Sequence, residues 1–141
     1  MDKKIDERKY SDFIKNLEII DIRLNEVNTK CIKYVEEVEN PLDVELIYEC
    51  KDVEVKVINE INMYPKFNVK LKSKDELCLT LNLKFNIKYS VKDLELFSEE
   101  YVQKFIDKNV PINIWPYARE IISSITSRMG YPSLIISPYK G

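Results

Sequence analysis

Apolar and polar residues alternate along most of this chain and then change to a helical period near its end. The clearest stretch is Leu77, Leu79, Leu81, Leu83, Phe85, Ile87 and Tyr89, with Cys78, Thr80, Asn82, Lys84, Asn86 and Lys88 between them. One buried and one wet face is the signature of an antiparallel strand. At about 3.3 Å per residue the strand is roughly 40 Å long, and an apolar face of that length needs a cover. Earlier segments alternate too. Ile20, Ile22 and Leu24 alternate with Asp21, Arg23 and Asn25, and the pattern continues less cleanly to Tyr34. Leu42, Val44, Leu46, Tyr48 and Cys50 follow the acidic connection that ends at Pro41. Val53, Val55 and Val57 then sit on the other parity, which predicts a bulge or turn at Lys51-Asp52. Pro65 breaks the next stretch. Phe67, Val69 and Leu71 resume it, and Ser73-Lys74-Asp75 reads as a hairpin loop.

Four β segments are followed by two helices, so the predicted class is α+β, with a four-stranded antiparallel sheet covered on one face. The first helix, at about 98–108, is short. Ser98 is its expected N-cap, Glu99 and Glu100 suit the first turn, and Phe97 and Val102 are spaced as a hydrophobic staple. The second, at about 114–129, carries the stripe Ala118, Ile121, Ile122, Ile125 and Met129. Pro116 is placed in its first turn, where a missing N–H is tolerated, and Gly130 fits the C′ position. Residues 1–17 form an N-terminal extension, frayed over 1–10, with a short helix from Ser11 to Leu17 capped by Ser11. Residues 18–141 form a single domain.

At 141 residues, 45% hydrophobic and 33% charged, the composition is that of one globular domain. The net charge is −2 with no basic block, which argues against nucleic acid as a partner. The charged stretch Met1 to Arg8 has no apolar core and is not a secretory signal. No apolar run is long enough to span a bilayer. Cys31, Cys50 and Cys78 lack paired spacing and read as reduced thiols, so a cytoplasmic location is expected.

The chain has no histidine, which removes the commonest general base and metal ligand together. The cysteines lack zinc-ligand spacing, and two glycines cannot build a phosphate-binding loop. Glu36-Glu37 and Glu99-Glu100 read as solvated faces. No enzyme activity, metal or cofactor is expected. Cys78 reads as a small side chain at a partly covered position. Trp115 reads either as a core anchor or as an aromatic wall of a groove. Tyr64, Tyr117, Tyr131 and Tyr139 each adjoin a proline, a weak mark of loops.

The order of residues from Ile114 to Pro138 carries more. Pro116, Tyr117, Ala118, Arg119 and Glu120 open a helix that ends in Ser127 and Arg128. Pro132 and the apolar strip Leu134-Ile135-Ile136 follow. This resembles the C-terminal region of the SecB export-chaperone family. The resemblance implies a sheet over about 18–91 and a dimer of dimers, with the 114–129 helix packed between sheets at the subunit interface. It makes Tyr117, Ala118, Arg119, Ile121, Ile122 and Ile125 interface candidates. Met63, Tyr64, Phe97, Trp115 and Tyr131 are large groups at element ends and candidates for client contact.

The implied function is that of a holdase that binds unfolded or nascent polypeptides for export. The implied partners are SecA or, as in SecB-like proteins of toxin–antitoxin modules, an antitoxin. Longer family members carry a second C-terminal helix and an acidic tail used with SecA, and neither precedes Gly141. A reading from another class is an oligomeric adaptor that uses the same sheet to bind one folded partner. A compact stable monomer would contradict the holdase reading, because a single copy is expected to leave the apolar sheet face unsealed.

Overall fold

The computed structural model describes residues 5–39, 41–51, 53–57 and 59–132. The strip Leu134-Ile135-Ile136, Pro138 and Tyr139 lie outside them. The order of elements is α1 (Glu7–Lys15), β1 (Leu17–Cys31), β2 (Asp43–Glu49), β3 (Val53–Val57), β4 (Glu60–Met63), β5 (Lys66–Ser73), β6 (Glu76–Val91), α2 (Glu99–Lys108) and α3 (Val110–Arg128).

The sheet has six strands, not the expected four, but they occupy four rows. β6 is the spine. β1 runs antiparallel along one side of it, from Leu17 opposite Val91 to Cys31 opposite Leu79. On the other side lie β5 and then β4, end to end. Lys66 faces Lys84 and Met63 faces Ile87, so the register resumes unchanged across Tyr64-Pro65. Pro65 has no N–H to give a ladder, but its carbonyl still accepts from the Phe85 N–H at 3.0 Å. β2 and β3 form the outer row in the same way, against β5 and β4. Two rows are cut in two because one contains a proline and the other changes parity between Glu49 and Val53.

The β5–β6 hairpin turns through Lys74 and Asp75, both left-handed at φ 49° and 67°. A two-residue turn with both central residues at positive φ matches the strand twist, although neither is the Gly or Asn that this turn favours. In β1 two extra residues, Ile20 and Asn25, disturb the register. Each bulge resets which side chains face the helices, so the face-up set is Leu17, Ile19, Ile22, Leu24, Val27, Thr29 and Cys31. That is why the pattern after Leu24 reads poorly as simple alternation.

One face of the sheet carries two adjoining cores. Phe67, Val69, Leu71 and β6 residues Leu79 to Phe85 take Ile114, Trp115, Ala118 and Ile122 of α3. The Phe67 and Trp115 ring centres are 5.7 Å apart. Ile61, Met63, Ile87, Tyr89 and Val91 take Phe105 and Ile106 of α2, with Tyr10 and Phe13 of α1.

The helix ends differ from expectation in three places. α1 starts at Glu7 and not Ser11. Its cap is Asp6, whose carboxylate accepts from the Arg8 N–H at 2.9 Å. Residues 7–10 are thus helical and not frayed, and Leu17 already belongs to β1. α3 starts at Val110, so Pro111 occupies the first turn and Pro116 lies inside the helix. There it removes an N–H that would bond the Ile112 carbonyl. Ser98 has the extended backbone of an N-cap, but its side chain makes no capping bond.

The end of α3 is a Schellman motif. The Gly130 N–H donates to the Ser127 carbonyl at 3.0 Å, and the Tyr131 N–H to the Thr126 carbonyl at 3.1 Å. Gly130 has φ 88°, a conformation that costs other residues energy.

Candidate polypeptide-binding surface

The cover over the apolar face is uneven. β6 is sealed by helices of its own chain, with α1 supplying cover that the sequence reading did not anticipate. β1, at the edge, is not sealed. Its face-up residues Ile19, Leu24 and Val27 are 46%, 43% and 40% exposed. From above, α3 contributes Pro116, Tyr117 and Ile121. These side chains border a cleft of about 320 Å³ with Ile22, Leu24, Phe85 and Glu120. The cleft follows from the chain's local geometry. α3 lies over β5 and β6, and its stripe is consumed there. Tyr117, 51% exposed, falls on the flank toward β1. Among the described residues, neither β1 nor the β2–β3 row has a second strand neighbour, so both edges of the sheet end in unpaired ladder.

The opposite face of the sheet is polar and largely self-neutralised. Lys84 pairs with Glu26 and Lys72 with Glu45, each at 2.9 Å, and both pairs bridge adjacent strands. The hydrogen bond and charge of Lys72 hold the Glu45 carboxyl below its usual range. Exposed pairs of this kind contribute little stability, and their charges cancel locally. The strong electrostatic perturbations lie inside. Burial pushes the Tyr131 hydroxyl up to about 12, as does burial with help from Glu7 and Asp107 for Tyr10. Tyr48 and Tyr89 are also raised, chiefly by burial. The Tyr48 hydroxyl donates to the Ile106 carbonyl at 2.9 Å, and the Asn113 amide donates to the Tyr89 hydroxyl at 2.9 Å. These are neutral, structural phenols. Among the described residues no group of His, Cys, Asp and Glu has the arrangement of a metal site.

The residues singled out for client contact do not come together. Met63, Trp115 and Tyr131 are buried in the cores, at 0%, 4% and 3% exposure. Tyr131 folds back from the helix end, and its hydroxyl donates to the Lys33 carbonyl. Phe97 is half-buried against Phe13, with ring centres 4.8 Å apart. Tyr64 sits at the rim, donating to a Glu54 carboxylate oxygen at 3.1 Å. The interface candidates divide by helical face. Ala118 and Ile122 point into their own sheet, and Ile125 packs beside them. Tyr117, Arg119 and Ile121 remain on the outer and flanking faces. The sequence reading missed Ile19, Leu24 and Val27. Their only signal was an apolar strand with no helical stripe left over to cover it.

An uncovered apolar strip beside an open strand edge is the equipment of a protein that binds other polypeptides, not of one that transforms a small molecule. The family comparison makes this specific. The family described as "Preprotein translocase subunit SecB" matches residues 11–140, and the chain belongs to that family, whose members are chaperones and not enzymes. It is 31% identical over 88 residues to the protein-export protein SecB of Wolbachia sp. subsp. Drosophila simulans (strain wRi), and equally to that of Wolbachia pipientis wMel. Each match takes in 60% of this chain and 53% of the relative. The chain thus spans about half the length of the curated relatives it matches. Its fold resembles that of the Mycobacterium tuberculosis Rv1957 SecB-like chaperone, solved in complex with a ChAD peptide from the Rv1956 HigA1 antitoxin. The TM-score is 0.81 over 96% of this chain and 99% of that one, at 16% identity, which is a likeness of fold alone. No described helix is long and apolar enough to cross a membrane.

Proposed function

We propose that the chain is a holdase that keeps unfolded polypeptides from aggregating, and that it works as a cytoplasmic dimer of dimers. The observation that carries this reading is the apolar strip along β1 and the α3 flank. Fully burying an aliphatic side chain contributes about 1.5–3 kcal/mol, so each half-exposed residue of the strip offers roughly 1 kcal/mol to whatever covers it. A second copy of the chain is one cover, and its arrival brings two strips together. Grooves around such an assembly then hold extended client segments by many weak apolar contacts, supplemented by backbone pairing at the free strand edges. No nucleotide or metal takes part.

For the client, two destinations remain: an unfolded preprotein delivered for export through SecA, or an antitoxin. The protein-export SecB relatives support the first, and the fold likeness to a chaperone solved with an antitoxin peptide is consistent with the second. The test is suppression of aggregation of a chemically denatured model protein, run beside sedimentation. A holdase suppresses aggregation at about one assembly per client. An adaptor that binds a single folded partner does not, and that result would end this reading. A stable monomer at micromolar concentration would end the assembly part of it.

A further inference from the structure

α1 is nine residues long. Isolated helices shorter than about 12–15 residues are marginal in water, so its order derives from what it docks on. That dock is aromatic. Phe13 is fully buried, with its ring 4.8 Å from Phe97, 6.0 Å from Phe105 and 6.5 Å from Tyr101. Tyr10 stacks on Tyr101, and the Lys104 ammonium lies 4.4 Å from the centre of the Tyr10 ring. Lys9 in turn lies 5.5 Å from the Tyr101 ring and 5.9 Å from that of Phe97. The Lys104 ammonium also pairs with the Glu7 carboxylate at 2.8 Å, and two further polar bonds complete the seat. The Asp6 N–H donates to the Tyr101 hydroxyl at 3.1 Å, and the Tyr10 hydroxyl donates to the Asn109 side-chain carbonyl.

The rings and polar partners on the receiving side belong to residues 97–109, and sheet residues Ile61, Met63, Ile87, Tyr89 and Val91 share the core that Phe13 enters. Phe97, Tyr101 and Phe105 recur at helical spacing and form one aromatic row beneath α1. The occupant supplies a short code: a lysine, an aromatic beside it, and a second aromatic three positions on. α1 joins β1 through Asn16 alone. Asn16 is pinned independently, because its amide donates to the Lys92 carbonyl at 3.0 Å and its own carbonyl accepts from the Lys92 N–H at 3.1 Å. α1 can therefore leave its seat with Asn16 as the pivot and without disturbing the β1 register. Its departure exposes an aromatic row flanked by Asn109 and Lys104, a surface suited to extended or helical segments of unfolded chains.

We propose that this aromatic row is a polypeptide-binding site that α1 occupies in the free chain. Client segments with two aromatic residues three positions apart, beside a lysine or arginine, displace α1 and take its seat. The proposal rests on the holdase reading and adds a site and its competitor. The test uses the full chain and reduced, carboxymethylated α-lactalbumin as a permanently unfolded probe. Amide hydrogen exchange is read with and without saturating probe, and affinity is read for Phe13→Ala and for the surface change Lys9→Glu. The expected result is at least tenfold faster exchange at residues 10–15 in the bound state, with α3 unchanged. Phe13→Ala binds the probe about tenfold more tightly, and Lys9→Glu, which removes two cation–π contacts, two- to fivefold. Unchanged or stronger protection of α1 on binding overturns the proposal, as does unaltered affinity in Lys9→Glu. If the probe binds no form of the chain, the holdase reading falls and takes the site with it. If the probe binds while α1 stays protected, only the site falls.

Discussion

Leu24→Asp is the sharpest perturbation of the strip on β1. Leu24 is 43% exposed, opposite Phe85 in the register, and borders the cleft under Pro116 and Tyr117. Within one chain the change touches an edge strand and costs about 1 kcal/mol or less. In an assembly that buries this strip the cost is larger. About 1 kcal/mol of apolar burial is lost, and sealing a carboxylate from water without a partner costs roughly 1–3 kcal/mol more. A two-fold interface contains the residue twice, which brings the penalty to roughly 4–8 kcal/mol. At 1.4 kcal/mol per tenfold, the dissociation constant should rise by about 10³–10⁶. Sedimentation velocity across a concentration series measures this shift, and urea unfolding of the dissociated chain measures the monomer term. If Leu24→Asp assembles as well as the unchanged chain, the strip is not an interface. If it loses several kcal/mol as a monomer, the residue is core, and the placement of α3 relative to β1 is wrong.

Three further outcomes follow from the fold. Gly130→Ala forces a Cβ into φ 88° at the Schellman turn and should cost about 1–2 kcal/mol in urea unfolding, although no atom blocks the added methyl. Lys74→Asn with Asp75→Gly places the favoured residues at two left-handed positions and should stabilise by about 0.5–1 kcal/mol in the same assay. Alkaline pH tests the buried phenols. Tyr10 and Tyr131 have hydroxyls raised from 10.0 to about 12 in the folded chain, so the unfolded chain releases these protons first. Their contribution is present below pH 10 and is lost as pH rises from 10 to about 12. The unfolding midpoint should fall across that window, and less steeply in Tyr131→Phe.

The long strand β6 was legible because six of its seven alternating apolar residues, Leu79 to Tyr89, face the helices; at its start a register shift leaves Leu77 half-buried and buries Cys78 in the first core. The parity change near Lys51 and the proline at 65 were equally plain in the residues, but counting rows as four concealed that each interruption makes two strands from one. Burial was harder to read. Met63, Trp115 and Tyr131 look like groove residues by size and position, yet they are large enough that the fold uses them as anchors. Residues suited to bind a client are also suited to fill a core, and only the placement of α3 decides between these uses. The start of α3 was misplaced because two prolines compete for the first turn. Pro111 takes it, and the cost of Pro116 inside the helix is tolerated. α1 was seen only in part. Asp6, rather than Ser11, was the cap, and a nine-residue helix has too few periodic positions to announce the aromatic seat that orders it.

The two cores share a single piece of backbone. Leu79 to Phe85 belong to one, and Ile87 to Val91 to the other, with no loop, glycine or proline between them. Neither half can melt while the other keeps its ladder, because unzipping β1 or the β4–β5 row at one end loosens the same strand at the other. The molecule should therefore lose its structure in one step, as a unit that has no stable fragment to leave behind.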